Sequence, residues 1–174
     1  MSPAREDGFT LVELVMTMLI LGLVLTGVTA LFSSGIRAQS DLQARFDAQT
    51  ELRVGLDKLK REVHASCAIV SQTSIQLTVS NPPCTAPTTI TYCTQGSGTR
   101  YGLYRNVGST CGGTKIADYL TSGGIFTYFA PNSPSSSFAL ARVRVDVTAD
   151  AKPSTSGGAY HVIDDVVFRN SARQ

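Results

Sequence analysis

One acidic side chain, Glu13, lies inside the most apolar stretch of the 174-residue chain. The 24 residues from Phe9 to Phe32 contain no other charged side chain. A carboxylate in an apolar span costs of order a few kcal/mol near the centre of a bilayer and less near its surface. Such a residue usually has a partner, unless it lies at the lipid head groups and reaches water there. Glu13 is therefore the first candidate functional residue.

Four cysteines follow the apolar stretch, at Cys67, Cys84, Cys93 and Cys111. An even number outside the membrane predicts two disulfides, and their spacing does not match a zinc site. Three pairings are possible. If residues 88–93 and 100–105 form a hairpin, Cys84 and Cys111 fall near its open end. We therefore expect one disulfide between Cys84 and Cys111 and the other between Cys67 and Cys93.

The sequence contains no pattern typical of an active site. It has no HExxH, no GxSxG and no glycine-rich phosphate loop. Asp164 and Asp165 are adjacent acids, but neighbouring residues of a strand point to opposite faces, so we expect no metal there. Arg142 and Arg144 share a strand face and could contact phosphate. Without an aromatic residue on that face, we expect a solvated edge instead. We predict neither an enzyme nor a bound cofactor.

The residues that precede the cysteines predict one long helix, from Phe9 to about Ser66. Residues 9–32 are apolar and long enough to cross a bilayer, and no proline occurs between Pro3 and Pro82. Residues 33–66 are charged, with an apolar stripe that must be buried on something: Leu52, Leu56, Leu59 and Val63. A solvated coiled coil is the alternative for this second half.

From Cys67 onward the pattern changes to alternating apolar and polar residues, which is typical of β-strands. We predict strands at 74–79, 88–93, 100–105, 125–129, 139–147 and 161–168, with Asp118–Leu120 as a short connection. One helix followed by several short strands predicts an α+β fold, with an antiparallel sheet packed on the exposed half of the helix. Residues 67–174 would then form a β-rich head domain with disulfides.

The sequence Gly8-Phe9-Thr10-Leu11-Val12-Glu13 resembles the prepilin signature of the type IV pilin and pseudopilin superfamily. The resemblance implies that residues 1–8 are a leader, which a prepilin peptidase removes by cutting between Gly8 and Phe9, and that Phe9 becomes N-methylated. It further implies that the new amine pairs with Glu13 of a neighbouring subunit in a filament. Breaking a pair of this kind in an apolar setting is costly, which makes it a device for register and recruitment.

The same resemblance implies the location and the partners of the chain. The protein would sit once across the cytoplasmic membrane with its head extracytoplasmic, and then enter a pilus or pseudopilus at the cell surface. Its partners would be the lipid bilayer, an inner-membrane assembly platform and other pilin or pseudopilin subunits. With a net charge of +2, we expect no nucleic-acid partner except through a DNA-uptake pilus.

The subtype rests on weaker similarities. Residues 56–63, 103–105 and 166–170 resemble the minor pilins that include J-type pseudopilins and W-type minor pilins. Asp7 departs from the family pattern, which commonly has a basic residue there. Two other classes of protein remain: a signal-anchored extracytoplasmic binding protein that does not assemble, and a secreted enzyme released by signal peptidase.

Overall fold

The computed structural model describes residues 10–131, 140–152 and 158–169. Within these residues it contains one helix and eight strands. The helix α1 is Leu11–Ala65, and the strands are β1 Ala68–Gln72, β2 Gln76–Asn81, β3 Thr88–Ser97, β4 Arg100–Val107, β5 Thr114–Leu120, β6 Phe126–Phe129, β7 Arg142–Ala149 and β8 Tyr160–Val167.

A hydroxyl residue flanks each end of α1, Thr10 before it and Ser66 after it. At the start, the carbonyl of Thr10 accepts the first helical hydrogen bonds, from the backbone N–H groups of Glu13 and Leu14. At the other end, the Ser66 hydroxyl donates to the carbonyl of Val63, and the backbone N–H of Cys67 donates to Ser80 of β2. The chain therefore leaves the helix directly into the sheet.

The chain divides into two compact units, residues 1–43 and residues 44–174. The described part of the first unit is helical from Leu11 onward, and its apolar side chains are exposed around the whole helix. Such a helix is long and apolar enough to cross a membrane. A helix that is apolar all round is stable only when lipid or protein surrounds it.

The second unit contains the rest of α1 and the eight strands, whose pairs are all antiparallel. The order is β1-β2-β3-β4-β5-β7-β6, and β8 pairs with β7. The sheet curls far enough for the backbone N–H of Phe126 in β6 to donate to the carbonyl of Ser74, in the β1–β2 turn, at 3.0 Å.

The core lies between α1 and the concave face of the sheet. The predicted stripe of Leu52, Leu56, Leu59 and Val63 is buried there, each residue at most 5% exposed. Gly55 lies in the same face and allows a close approach to β5, since a Cβ atom at Gly55 would stand 3.0 Å from the carbonyl oxygen of Ile116. The α+β fold predicted from the sequence is confirmed: a long N-terminal helix packs on an antiparallel sheet.

Two strands differ from the prediction. β1 was not predicted, and Asp118–Leu120 is the end of strand β5 rather than a connection. β5 lacks a regular alternation because it is bulged: Tyr101 pairs with Leu120 and Leu103 with Ala117. Tyr119, in this bulge, has a φ of 64°, which is uncommon for a non-glycine residue.

Candidate assembly site

The predicted assembly residue Glu13 occupies the third position of α1, in the first turn after the helix cap. Thr10 is the capping residue, and its hydroxyl oxygen lies 3.4 Å from the backbone nitrogen of Glu13. Thr and Glu three residues apart at a helix start form the capping-box pattern. A carboxylate in the first turn also interacts favourably with the positive end of the helix dipole.

Glu13 differs from the other polar side chains of the apolar segment. Between Glu13 and Gly35 there are five hydroxyl side chains, and each donates to a carbonyl of its own helix: Thr17, Thr26, Thr29, Ser33 and Ser34. Among the described residues, the Glu13 carboxylate has no such partner. In this segment, every described polar side chain except Glu13 therefore already has a hydrogen-bond partner when the helix is surrounded by apolar groups. Gly8 and Phe9, the predicted processing residues, lie outside the described residues.

A partly buried polar cluster, which the sequence did not indicate, joins the head to α1. The Tyr92 hydroxyl donates to Glu62 at 2.7 Å, and Arg105 donates to both carboxylate oxygens of Glu62 at 3.0 Å. Tyr92 and Arg105 are paired residues of β3 and β4. Burial raises the pKa of the Tyr92 hydroxyl above its ordinary value, and the hydrogen bond to Glu62 raises it further. The cluster fixes how α1 sits on the sheet.

A second set of contacts joins α1 to strand β8. Lys60 forms an ion pair with Asp164, and Arg53 donates to the Tyr160 hydroxyl at 3.0 Å. His64 Nδ1 lies 2.9 Å from the carbonyl oxygen of Val167. These helix positions lie on one side of α1, so the helix is held at two places across the sheet.

The two disulfides are present, but the predicted pairing is wrong. Cys67 pairs with Cys84, and Cys93 pairs with Cys111. β1, which was not predicted from the sequence, starts beside the end of β2, with Ala68 opposite Ser80. Cys67 therefore lies close to the loop that contains Cys84.

The second disulfide follows from the path of the loop after β4. This loop folds back over the convex face of the sheet instead of extending beyond the hairpin. The Thr91 hydroxyl donates to the carbonyl of Gly108 at 2.6 Å, and Gln76 contacts the carbonyl of Ser109. Cys111 is thereby brought over Cys93, which is 1% exposed. Each disulfide thus attaches a surface loop to the sheet.

The two arginines considered for phosphate binding have partners within the head. Arg142 and Arg144 both bond to Asp165, at 2.5 and 2.9 Å. Contrary to the expectation of a face without aromatic residues, the Phe129 ring lies 4.3 Å from the Arg142 guanidinium and 5.4 Å from that of Arg144. The hydrogen bond from Arg144 and the charge of Arg142 hold the pKa of Asp165 below its ordinary value, although partial burial opposes them.

The two carboxylates of the acidic pair lie on opposite faces of β8. Asp164 faces α1 and pairs with Lys60, whereas Asp165 faces the convex side and pairs with the arginines. Over the residues that the structure describes, no group of three His, Cys, Asp or Glu side chains could hold a metal ion.

A long apolar N-terminal helix that continues onto an antiparallel, curled sheet makes the fold pilin-like. Residues 3–29 match the family model described as the prokaryotic N-terminal methylation motif, the cleavage signal of type IV prepilins. No curated protein and no solved structure matches the chain. The resemblance found at residues 8–13 is therefore confirmed for the prepilin signal, and this signal with the apolar helix fits a membrane-anchored protein with an extracellular head.

Proposed function

We propose that the protein is a minor pilin or pseudopilin, a structural subunit of a type IV pilus, competence pilus or type II secretion pseudopilus. A prepilin peptidase would cut between Gly8 and Phe9 and methylate Phe9, and the trimmed chain would enter the filament or its tip. The observation that carries the proposal is the prepilin signal at residues 3–29, placed directly on a helix able to cross a membrane.

Glu13 is the residue that we assign to recruitment. Its carboxylate is the one polar side chain, among the described residues from Glu13 to Gly35, that its own helix leaves without a hydrogen bond. Cleavage after Gly8 creates an amine four residues before this carboxylate. In an apolar filament core, the amine of one subunit can neutralise Glu13 of the next, so that neither charge is left buried alone.

The first test is intact-mass analysis of the membrane-extracted chain after co-expression with a prepilin peptidase. We expect a start at Phe9 with one added methyl group, and no processing when Gly8 is replaced by a bulky residue. A chain that keeps Met1 would instead fit a signal-anchored binding protein, and a start beyond Ala30 would fit a secreted protein. Either result contradicts the proposal.

The second test separates recruitment from processing. Glu13→Val should leave cleavage intact, because the scissile bond is unchanged, but should abolish incorporation into filaments. Thr17→Val is the matched control: it removes a polar group that is already bonded within the helix and should still be incorporated. Normal incorporation of Glu13→Val would overturn the assigned role of Glu13.

A further inference from the structure

The helix α1 begins close to the predicted cleavage point, and one residue fixes where it begins. Thr10 lies outside the helix, and Leu11 is its first residue. The carbonyl of Thr10 accepts from the backbone N–H groups of Glu13 and Leu14, at 3.1 and 3.2 Å, and its hydroxyl oxygen lies 3.4 Å from the backbone nitrogen of Glu13. Thr10 is therefore the N-cap residue, and α1 starts two residues after Phe9.

The sequence contains a second residue that could cap this helix, one turn earlier. Asp7 precedes the predicted cleavage point, and aspartate is a stronger N-cap residue than threonine. A helix capped by Asp7 would contain Gly8, Phe9 and Thr10 in its first turn. The carbonyl of Gly8 would then accept a hydrogen bond from the N–H of Val12, as in any α-helix. The peptide bond between Gly8 and Phe9 would thus be part of the helical backbone.

The carbonyl of Gly8 is also the group on which the proposed processing reaction acts. Water adds to the carbonyl carbon of Gly8, the C–N bond to Phe9 breaks, and the products carry a carboxyl group on Gly8 and an amine on Phe9. A peptide bond held in a helix must first be released from it, and the rate of proteolysis then depends on the population of the open form. A helix that begins at Asp7 would therefore slow the cleavage.

Two properties of the chain favour the later start. Glycine is a poor helix former, so including Gly8 in the helix is unfavourable, and the cap at Thr10 stabilises the start at Leu11. We propose that Thr10 is a positioning residue for processing, whose cap holds the start of α1 beyond the peptide bond between Gly8 and Phe9.

This role of Thr10 rests on the proposed function, because it needs a peptidase that cuts this bond. The match of residues 3–29 to the methylation motif is the observation that points to such an enzyme. The role is separate from that of Glu13 in recruitment, since the cap contacts only the backbone of Glu13. Glu13→Val should therefore keep the cap.

The first test needs no peptidase and uses the full-length precursor in detergent micelles. A helix that begins at Leu11 leaves the N–H of Val12 without an acceptor in the helix, whereas a helix capped by Asp7 provides one. Thr10→Ala removes the cap and adds a strong helix former, so we expect it to slow amide hydrogen exchange at Val12 severalfold. Thr10→Ser keeps a capping hydroxyl and should exchange like the natural chain. Equal exchange at Val12 in the two variants would refute the proposal.

The second test follows cleavage by a co-expressed prepilin peptidase, with intact mass as the readout. Thr10→Ala should be processed severalfold more slowly than Thr10→Ser. Adding Asp7→Ala to the Thr10→Ala chain removes the competing cap and should restore the rate to that of the chain with Asp7→Ala alone. If the Thr10 side chain instead contacted the peptidase directly, Thr10→Ala would also be slow, but Asp7→Ala would not rescue it. Absence of rescue therefore contradicts the positioning role.

Failure of this role and failure of the proposed function give different results. A natural chain that is not cut between Gly8 and Phe9 contradicts the proposed function, and with it the role of Thr10. If the natural chain is cut and the Thr10→Ala chain is cut at the same rate, the proposed function stands and only the role of Thr10 is wrong.

Discussion

At the scale of single residues, the head depends most on Glu62. This carboxylate, 18% exposed, receives hydrogen bonds from Tyr92 and Arg105, which lie 30 and 43 residues away in the chain. In the sequence, Glu62 is one of many alternating charges on an amphipathic helix. Glu62 differs from these other charged residues because the register of β3 against β4 places Tyr92 opposite Arg105, so that both side chains reach its carboxylate.

Glu62→Gln should destabilise the head. It removes the charge that compensates Arg105 and weakens the hydrogen bond from Tyr92. Hydrogen bonds to charged groups are each worth about 1.5–3 kcal/mol, so we expect a loss of about 2 kcal/mol in the free energy of unfolding. Chemical denaturation in detergent, followed by near-ultraviolet circular dichroism, measures this loss. Glu51→Gln, at an exposed position of the same helix, is the control, and an equal effect of the two changes would contradict the assignment.

Tyr92 gives the head a dependence on alkaline pH. Because the pKa of Tyr92 is raised in the folded chain, the unfolded chain loses this proton first, near pH 10. The stabilisation is complete below that pH and declines above it, by about 1.4 kcal/mol per pH unit. Tyr92→Phe should be less stable than the natural chain at pH 8, and the difference should shrink at pH 11. A difference that stays constant between these pH values would refute the explanation.

At the scale of elements, α1 is the part that the sequence predicts best. An apolar run, an amphipathic stripe and the absence of proline are local properties, so they indicate the helix without knowledge of the sheet. What they do not indicate is where the helix approaches its neighbour most closely. Glycine has a low helix propensity, but at Gly55 its missing side chain leaves room for β5, because a Cβ atom there would stand 3.0 Å from the carbonyl oxygen of Ile116.

Two glycine substitutions in α1 separate packing from helix propensity. Gly55→Ala places a methyl group 3.0 Å from the carbonyl oxygen of Ile116, and overpacking of this kind costs about 1–3 kcal/mol. Gly35→Ala meets no atom within 4 Å and should be neutral, or stabilising by up to about 1 kcal/mol through helix propensity. Thermal unfolding of both full-length variants in detergent gives the comparison. A loss of stability in Gly35→Ala similar to that in Gly55→Ala would show that close packing is not the cause.

The strands and the disulfides were harder to predict. The alternation of β2, β3, β4, β7 and β8 is regular enough to be read, whereas β1 is short and bulged and β5 contains the left-handed Tyr119. Because β1 was not predicted, Cys67 could not be placed beside the loop that contains Cys84, and its disulfide partner was predicted wrongly. The pairing of Cys93 with Cys111 depended on a loop that folds back over the sheet, for which the sequence has no local signal.

At the scale of the whole molecule, the prepilin signal and the fold class were both available from sequence because each rests on residues that are close together in the chain. The short Gly8–Glu13 signature and the change of period after Cys67 are examples. The contacts that join α1 to the sheet pair residues far apart in the chain, and they appear only when the strands are placed.

The five internally bonded hydroxyls of the apolar helix have a consequence for transfer between surroundings. Because Thr17, Thr26, Thr29, Ser33 and Ser34 donate to their own backbone, extraction of this helix from lipid into a protein bundle breaks none of their hydrogen bonds. The segment can therefore move from lipid into an apolar protein bundle with almost no free-energy cost from its hydroxyl groups. Among the described residues of this segment, the carboxylate of Glu13 is the polar group left without a partner, so the free energy of the move depends on whether that carboxylate finds one.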